Sequence, residues 1–301
     1  MINKSQEFDI ERIRKLINNE KYIRNCKIDI KEIKKIYDDY STNYHSGSIN
    51  NTKNEILNKI NDELPISIHS IRGRVKDPDH LIEKIYRNAA KNEEKYGSIN
   101  VDNYNKLITD IIGVRIIILD KRNWKDVHDF LLNLFQNDPT KYIIKPLDLV
   151  ANYDKYGDKE NSTGCICYHA EKPIVYIRSE DDRSIYQDAN LKIDTSKRSY
   201  RSIHYIIRYN NYYFEIQVRT LFEEGWLEFD HKIKYPYDND NPKKKEYADI
   251  LNSLAQTADK LISFYEEEDF KKSSNEIINV SEEVIEESKR TSLREKLIDL
   301  F

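Results

Sequence analysis

The stretch YRSIHYIIRYNNYYFEIQVRT, residues 200–220, restricts the possible folds more than any other part of the chain. Two runs of β-branched and aromatic residues flank Asn210-Asn211, and Asn tolerates the positive φ that a two-residue hairpin turn demands. A turn there pairs Tyr209 with Tyr212, Ile207 with Phe214, Tyr205 with Ile216 and Ile203 with Val218, which together make one apolar face. Strand alternation then places Tyr200, Ser202 and His204 on the opposite face beside Glu215, Gln217 and Arg219. A polar face is ordinary where an antiparallel sheet meets water. A carboxylate, an imidazole, an amide, a guanidinium and a phenol gathered on one face are also the materials of a site.

Upstream, YNKLITDIIGVRIIILD, residues 104–120, holds the continuous apolar run Ile116–Leu119, as expected of a strand buried on both faces. Asp110 and Arg115 flank its start. A carboxylate at the edge of a buried strand is held rigidly, which suits a metal ligand; a turn-capping Asp is the common alternative. Residues 124–135 have helical periodicity, so a strand–helix–strand unit ending in a strand over 142–150 is expected. Residues 66–76 alternate like a strand and end in Arg72, Arg74 and Lys76. Pro78 then suits the first position of a helix on which Lys84 and Arg87 share a face. Bases at a strand end and in the next helix suit phosphate; taken alone, a solvated helix face is the commoner explanation of them.

Residues 6–62 read as helices, with Asp29 and Asn51 as caps. Residues 174–178 read as a short strand, 181–190 as a short helix, and 192–199 as a basic run leading into the hairpin. Residues 221–236 read as a helix ended by Pro236, followed by a long amphipathic helix over 243–268 with Ile250, Leu251, Leu254, Ala258 and Leu261 on one side. The last segment, 276–301, is acidic and amphipathic, a candidate contact for the core, a twin chain or a regulator. The expected divisions are 1–62, 63–240 and 241–301.

Charge excludes a global attraction to nucleic acid: with 34% charged residues the net charge is only −4. Local imbalance exists, however. Lys192, Lys197, Arg198 and Arg201 face only Asp194 within residues 192–201. Three cysteines are too few for a disulfide framework, and Cys165-Ile-Cys167-Tyr-His169 lacks the second half of a metal site. No apolar run approaches a membrane span and no signal segment opens the chain, so a soluble, cytoplasmic protein is expected.

Four segments, in order over about residues 66–235, are similar to one family. GRVKDPDHLIEKIYR resembles the RVK segment of RelA/SpoT-type alarmone synthetases, DIIGVRIII resembles their D-x-x-G-x-R strand, and YRSIH with EIQVRT resembles their hairpin motifs. Trp226 also falls where small synthetases carry Trp. No HD-type hydrolase motif accompanies them, so the resemblance is to a small, synthetase-only member. It implies an α/β, nucleotidyltransferase-like fold: a mixed twisted sheet of about five strands flanked by helices, with helical additions at both ends.

The resemblance also implies a reaction, transfer of the β,γ-diphosphate of ATP to the 3′-hydroxyl of GDP or GTP, leaving AMP. Asp110 and Glu215 would hold Mg²⁺ and activate the hydroxyl; Arg74 and Arg115 would sandwich adenine. Lys76, Lys84 and Arg87 would neutralise the ATP phosphates. Tyr200 would stack on the acceptor base, with His204, Gln217, Lys197 and Arg198 nearby. Three departures stand out: Asp77 and His80 replace hydroxyl residues of the RVK segment, and Ser199 replaces the Gly before Tyr200. The SYRS sequence also resembles a toxic branch that pyrophosphorylates the 3′ CCA end of tRNA, whose phosphates Lys197, Arg198, Arg201 and Lys243–Lys245 would meet. A catalytically silent nucleotide-binding module is the alternative from another class; the Asp110/Glu215 pair speaks against it.

Overall fold

In the computed structural model the described residues are 8–17, 20–62, 68–135, 167–179, 181–196, 200–209, 212–234, 242–244 and 246–265. The expected strand over 142–150, the Asn210-Asn211 turn, Cys165, Lys197, Arg198, Ser199, Pro236, Lys245 and the 276–301 segment lie outside them.

Four helices come first: α1 (Ile10–Ile17), α2 (Glu20–Asn25), α3 (Ile30–His45) and α4 (Ser48–Asn61). Asp29 caps α3 as expected, its side chain accepting from the Lys31 amide. Asn51 does not cap α4. That helix begins a turn earlier, after Gly47, whose left-handed backbone (φ 82°) reverses the chain at no Cβ cost. Next come β1 (Ile68–Val75), α5 (Pro78–Lys91), the short α6 (Glu93–Tyr96) and α7 (Tyr104–Leu107), β2 (Ile112–Ile118) and α8 (Trp124–Leu134). Beyond residue 166 follow β3 (Cys167–His169), β4 (Ile174–Ile177), β5 (Lys192–Thr195), β6 (Ser202–Tyr209), β7 (Tyr212–Thr220) and α9 (Leu221–Lys234). Residues 246–265 are helical.

The seven strands form one mixed sheet in the order β1-β2-β7-β6-β4-β5, with β3 also on β6. The class is the one expected, with more strands than expected. One addition is KIDT, which reads as a basic run but forms β5, parallel to β4. A four-residue edge strand carries too short an alternation to show in sequence. The hairpin register is as expected: Ile203 with Val218, Tyr205 with Ile216, Ile207 with Phe214, Tyr209 with Tyr212. Strand β2 runs parallel to β7 and places Gly113 beside Glu215 and Arg115 beside Gln217.

One face of the sheet packs Val114, Ile116, Ile203, Tyr205, Phe214, Ile216 and Val218 into a core that also takes Ile33, Ile36, Ile56 and Ile60 of the N-terminal helices. Each such side chain contributes about 1.5–3 kcal/mol when fully buried. Leu57 of α4 packs directly on the β1 backbone at Gly73, where a Cβ would stand 2.8 Å from Leu57 Cδ1.

The 246–265 helix docks by an unexpected side. Its covered face is Ala248, Asn252, Ala255 and Asp259, while Ile250, Leu254 and Leu261 are 52%, 61% and 63% exposed. Small residues permit close approach, and the polar ones meet buried partners: Asn252 Oδ1 accepts from Arg178 at 2.5 Å and Asp259 Oδ2 from Thr220 at 3.0 Å. Trp226 donates its indole N–H to the Ala248 carbonyl at 3.0 Å. Among the described residues no helix is long and apolar enough to cross a membrane.

Two buried imidazoles make the core acid-sensitive. His128 shares a 3.0 Å hydrogen bond with the Tyr205 hydroxyl, and His169 Nε2 donates to the Leu131 carbonyl at 3.0 Å. Burial pushes both down to about 4. Asp259 acts oppositely, its carboxyl pushed up to about 6 by burial. The folded state thus binds fewer protons at the histidines, whose contribution is full above pH 6.5 and lost as pH falls toward 4. Asp259 regains stability as pH falls through 6. Between pH 7.5 and 5 we expect a net loss of about 2–3 kcal/mol, from ~2 lost at each histidine and ~1.4 gained at the aspartate. Urea unfolding at the two pH values checks this; Asp259→Asn should enlarge the loss to about 4 kcal/mol. A stability flat across the interval would contradict it.

Candidate active site

The polar face of the hairpin is linked as the alternation implies. Glu215 accepts from His204 Nδ1 at 3.0 Å and from Gln217 Nε2 at 2.6 Å. Gln217 in turn accepts from Arg219, which also reaches Ser202 Oγ at 3.2 Å and Glu224 at 2.9 Å. Burial pushes the Glu215 carboxyl up, but the His204 hydrogen bond and charge outweigh it and hold it below its ordinary value.

A second cluster stands where β1 ends and β2 begins. The Lys76 amide donates to the Ile111 carbonyl at 2.8 Å and the Lys76 carbonyl accepts from Tyr40 of α3 at 2.5 Å, so the backbone there is clamped from both sides. Its ammonium lies 3.1 Å from Asp110 Oδ2, and Lys84 of α5 lies 2.6 Å from the same oxygen. Burial pushes the Asp110 carboxyl up, yet the two lysines overcome it and hold it at about 2. Lys76 is pushed down by burial, with Asp110 opposing. Strand pairing brings the two clusters onto neighbouring strands, with Gly113, three residues after Asp110, beside Glu215, and the Asp110 charge acts to push the Glu215 carboxyl up.

Asp77, one of the departures, caps α5 by accepting from the Asp79 amide at 2.9 Å, with Pro78 in the first turn. An Asp performs this as well as the Ser it replaces. On α5 Lys84 faces Asp110, whereas Arg87 is held by the buried Glu83 at 2.6 Å. Arg74 is exposed, its stem 3.6 Å from where a Cβ on Gly113 would stand. Arg115 is engaged by Glu224 at 2.5 Å and by Glu228. Tyr200 stands 5.6 Å from the Tyr176 ring and 6.4 Å from His204.

Arg201 corrects the sequence reading. Rather than reaching outward to phosphates, it is tied to Asp181 and Glu223. Tyr176, Arg178, Glu223 and Glu224 join the same network, and the sequence does not mark them, because single positions in a short strand and a helix carry no local signal of what they face.

Asp110 and Glu215 suit a hard cation that keeps waters and takes phosphate oxygens as its other ligands. Asp110 Oδ1 is buried with no hydrogen-bond partner among the described residues, both lysines having taken Oδ2. Among the described residues no group of three or more His, Cys, Asp or Glu is placed to hold a metal ion. A carboxylate held by two ammonium groups, beside a strand that carries a second one held by an imidazole and an amide, has the chemistry to bind a polyphosphate with its metal.

A family profile described as a region found in RelA/SpoT proteins matches residues 73–240, more than half of the chain, and the protein belongs to that family. Solved structures are similar at lower identity. A GTP pyrophosphokinase family protein from Streptococcus pneumoniae is 17% identical, with TM-score 0.45 over 77% of this chain and 93% of that one. Small alarmone synthetase 1 from Bacillus subtilis, bound to its product pppGpp, is 18% identical, with TM-score 0.43 over 74% and 93%. Small alarmone synthetase 2 from the same organism is 20% identical, with TM-score 0.41 over 76% and 94%. No curated protein matches the sequence significantly.

Proposed function

We propose that the protein is a pyrophosphokinase that transfers the β,γ-diphosphate of ATP to the 3′-hydroxyl of GDP or GTP, releasing AMP. The observation that carries this reading is the Asp110 carboxylate held between Lys76 and Lys84 at the start of the strand that pairs with the Glu215 strand, in a chain of the RelA/SpoT family. The names of the similar structures, a GTP pyrophosphokinase family protein and two small alarmone synthetases, agree with it.

In this reading Asp110 and Glu215 hold Mg²⁺, which when bound neutralises charge on the transferred phosphates. Lys76 and Lys84 leave Asp110 for the phosphate oxygens, with Arg87 beside them. Arg74 and Arg115 flank adenine. Tyr200 stacks on the acceptor base, and His204, Gln217, Lys197 and Arg198 hold the rest of the acceptor. Glu215 draws the proton from the 3′-hydroxyl, its oxygen bonds to Pβ, and the bridging oxygen departs with AMP. The work is positioning and charge neutralisation, as phosphoryl-type transfer demands.

The test is to incubate the protein with Mg²⁺, γ-labelled ATP and GDP, GTP or deacylated tRNA. Label should pass to the guanosine nucleotide with equimolar AMP. Label on tRNA alone would favour the tRNA reading, and no AMP release with any acceptor would favour a silent module.

A further inference from the structure

Resting on the acceptor role proposed for Tyr200, we propose that Tyr176 and Tyr200 together form a two-ring platform for the acceptor base, and that the buried Glu223 is the positioning residue that sets their spacing.

The two rings come from different strands and approach to 5.6 Å, with His204 4.9 Å from Tyr176. Each stands within two residues of an arginine: Tyr176 two before Arg178, Tyr200 one before Arg201. Both arginines reach the same carboxylate. Glu223, 0% exposed, accepts from Arg178 Nη2 at 2.7 Å and from Arg201 Nη1 at 3.3 Å. It also accepts from the Arg201 amide at 3.3 Å, while the Tyr200 amide donates to Ser196 Oγ at 3.3 Å. Asp181 braces the pair from the other side, accepting from Arg201 Nε at 2.6 Å and from the Arg178 amide at 2.9 Å.

Glu223 itself is fixed, its amide donating to Thr220 Oγ1 at 3.2 Å at the end of β7. Asn252 of the 246–265 helix holds Arg178 from the far side. Buried ion pairs of this kind return little net stability, because desolvation offsets their attraction. What they do supply is fixed geometry, and the geometry here is at the roots of two stacking rings. His204, edge-on to the Tyr176 ring and tilted against Tyr200, donates to Glu215, so the platform also registers the acceptor against the reacting centre.

The test separates binding from transfer. GDP is titrated calorimetrically onto wild type, Tyr176→Leu, Tyr176→Phe, Glu223→Gln and Asp181→Asn, with Mg²⁺ and a non-transferable ATP analogue present, and the steady-state constants are measured beside it. Tyr176→Leu should weaken GDP roughly tenfold and Tyr176→Phe should restore it, as stacking on a lost ring requires. Glu223→Gln should raise the acceptor KM several-fold, leaving ATP-analogue affinity and kcat at saturating GDP within about twofold. If Glu223→Gln does not fold, the partly exposed Asp181→Asn carries the same expectation. GDP binding indifferent to Tyr176, or equal losses for both substrates, overturns the platform. Platform-dependent GDP binding without transfer would refute the pyrophosphokinase reading and leave the platform standing. Absence of both GDP and GTP binding to wild type would refute both.

Discussion

Asp110→Asn should lower transfer by roughly a hundredfold or more, the scale on which losing a group that holds transition-state charge is felt. The side chain stays the same size, so its partners remain in place. What changes is charge: Lys76 and Lys84, 3.1 and 2.6 Å from one oxygen, face each other without a counterion. Lys76 is already pushed down by burial, and without Asp110 it should fall further. The variant therefore also loses stability. The Asp110 carboxyl is held at about 2, so its contribution is present above its ordinary range and lost as pH falls toward 2. At pH 7 this amounts to about 2 kcal/mol. Steady-state AMP release and urea unfolding at pH 7 measure the two effects separately. A variant keeping more than a tenth of wild-type transfer would show that Asp110 is only the counterion of two structural lysines.

That double character was not legible in the sequence. Alternation in YRSIHYIIRYNNYYFEIQVRT sufficed for the hairpin register and for the company of His204, Glu215 and Gln217, because period two is a local property. The continuous apolar run after Gly113 placed β2 in the interior for the same reason. Asp110 meeting Lys76 and Lys84 joins a strand start, a strand end and a helix, and only the topology decides that. The engagement of Arg115 by Glu224 and Glu228 likewise depends on α9 folding back over β2. Arg201 shows the limit from the other side. In a basic run its charge reads as exposed, yet its neighbours across the fold, Asp181 and Glu223, draw it inward. The 246–265 helix misleads similarly, since its apolar stripe predicts one docking face and the buried polar network selects another.

Glu215→Gln should be as damaging to transfer as Asp110→Asn, by a different route. The Glu215 carboxylate accepts from two donors, His204 Nδ1 and Gln217 Nε2. A carboxamide offers one accepting oxygen and one N–H₂, so one of those donors must face another donor. Gln217 cannot relieve this by turning over, because its oxygen already accepts from Arg219, which shares Glu224 with Arg115. His204 must then give up its tautomer or its place beside Tyr176 and Tyr200. The variant thus loses the negative charge at the reacting hydroxyl together with the register of the acceptor. We expect kcat to fall roughly a hundredfold or more, with a rise in acceptor KM that Asp110→Asn does not share. Glu215→Asp keeps the charge but sits one methylene short of both donors, so it should retain partial kcat and show the same rise in acceptor KM. Equal acceptor KM values in wild type and both variants would mean that Glu215 acts on the phosphates alone and that His204 owes its position to some other contact.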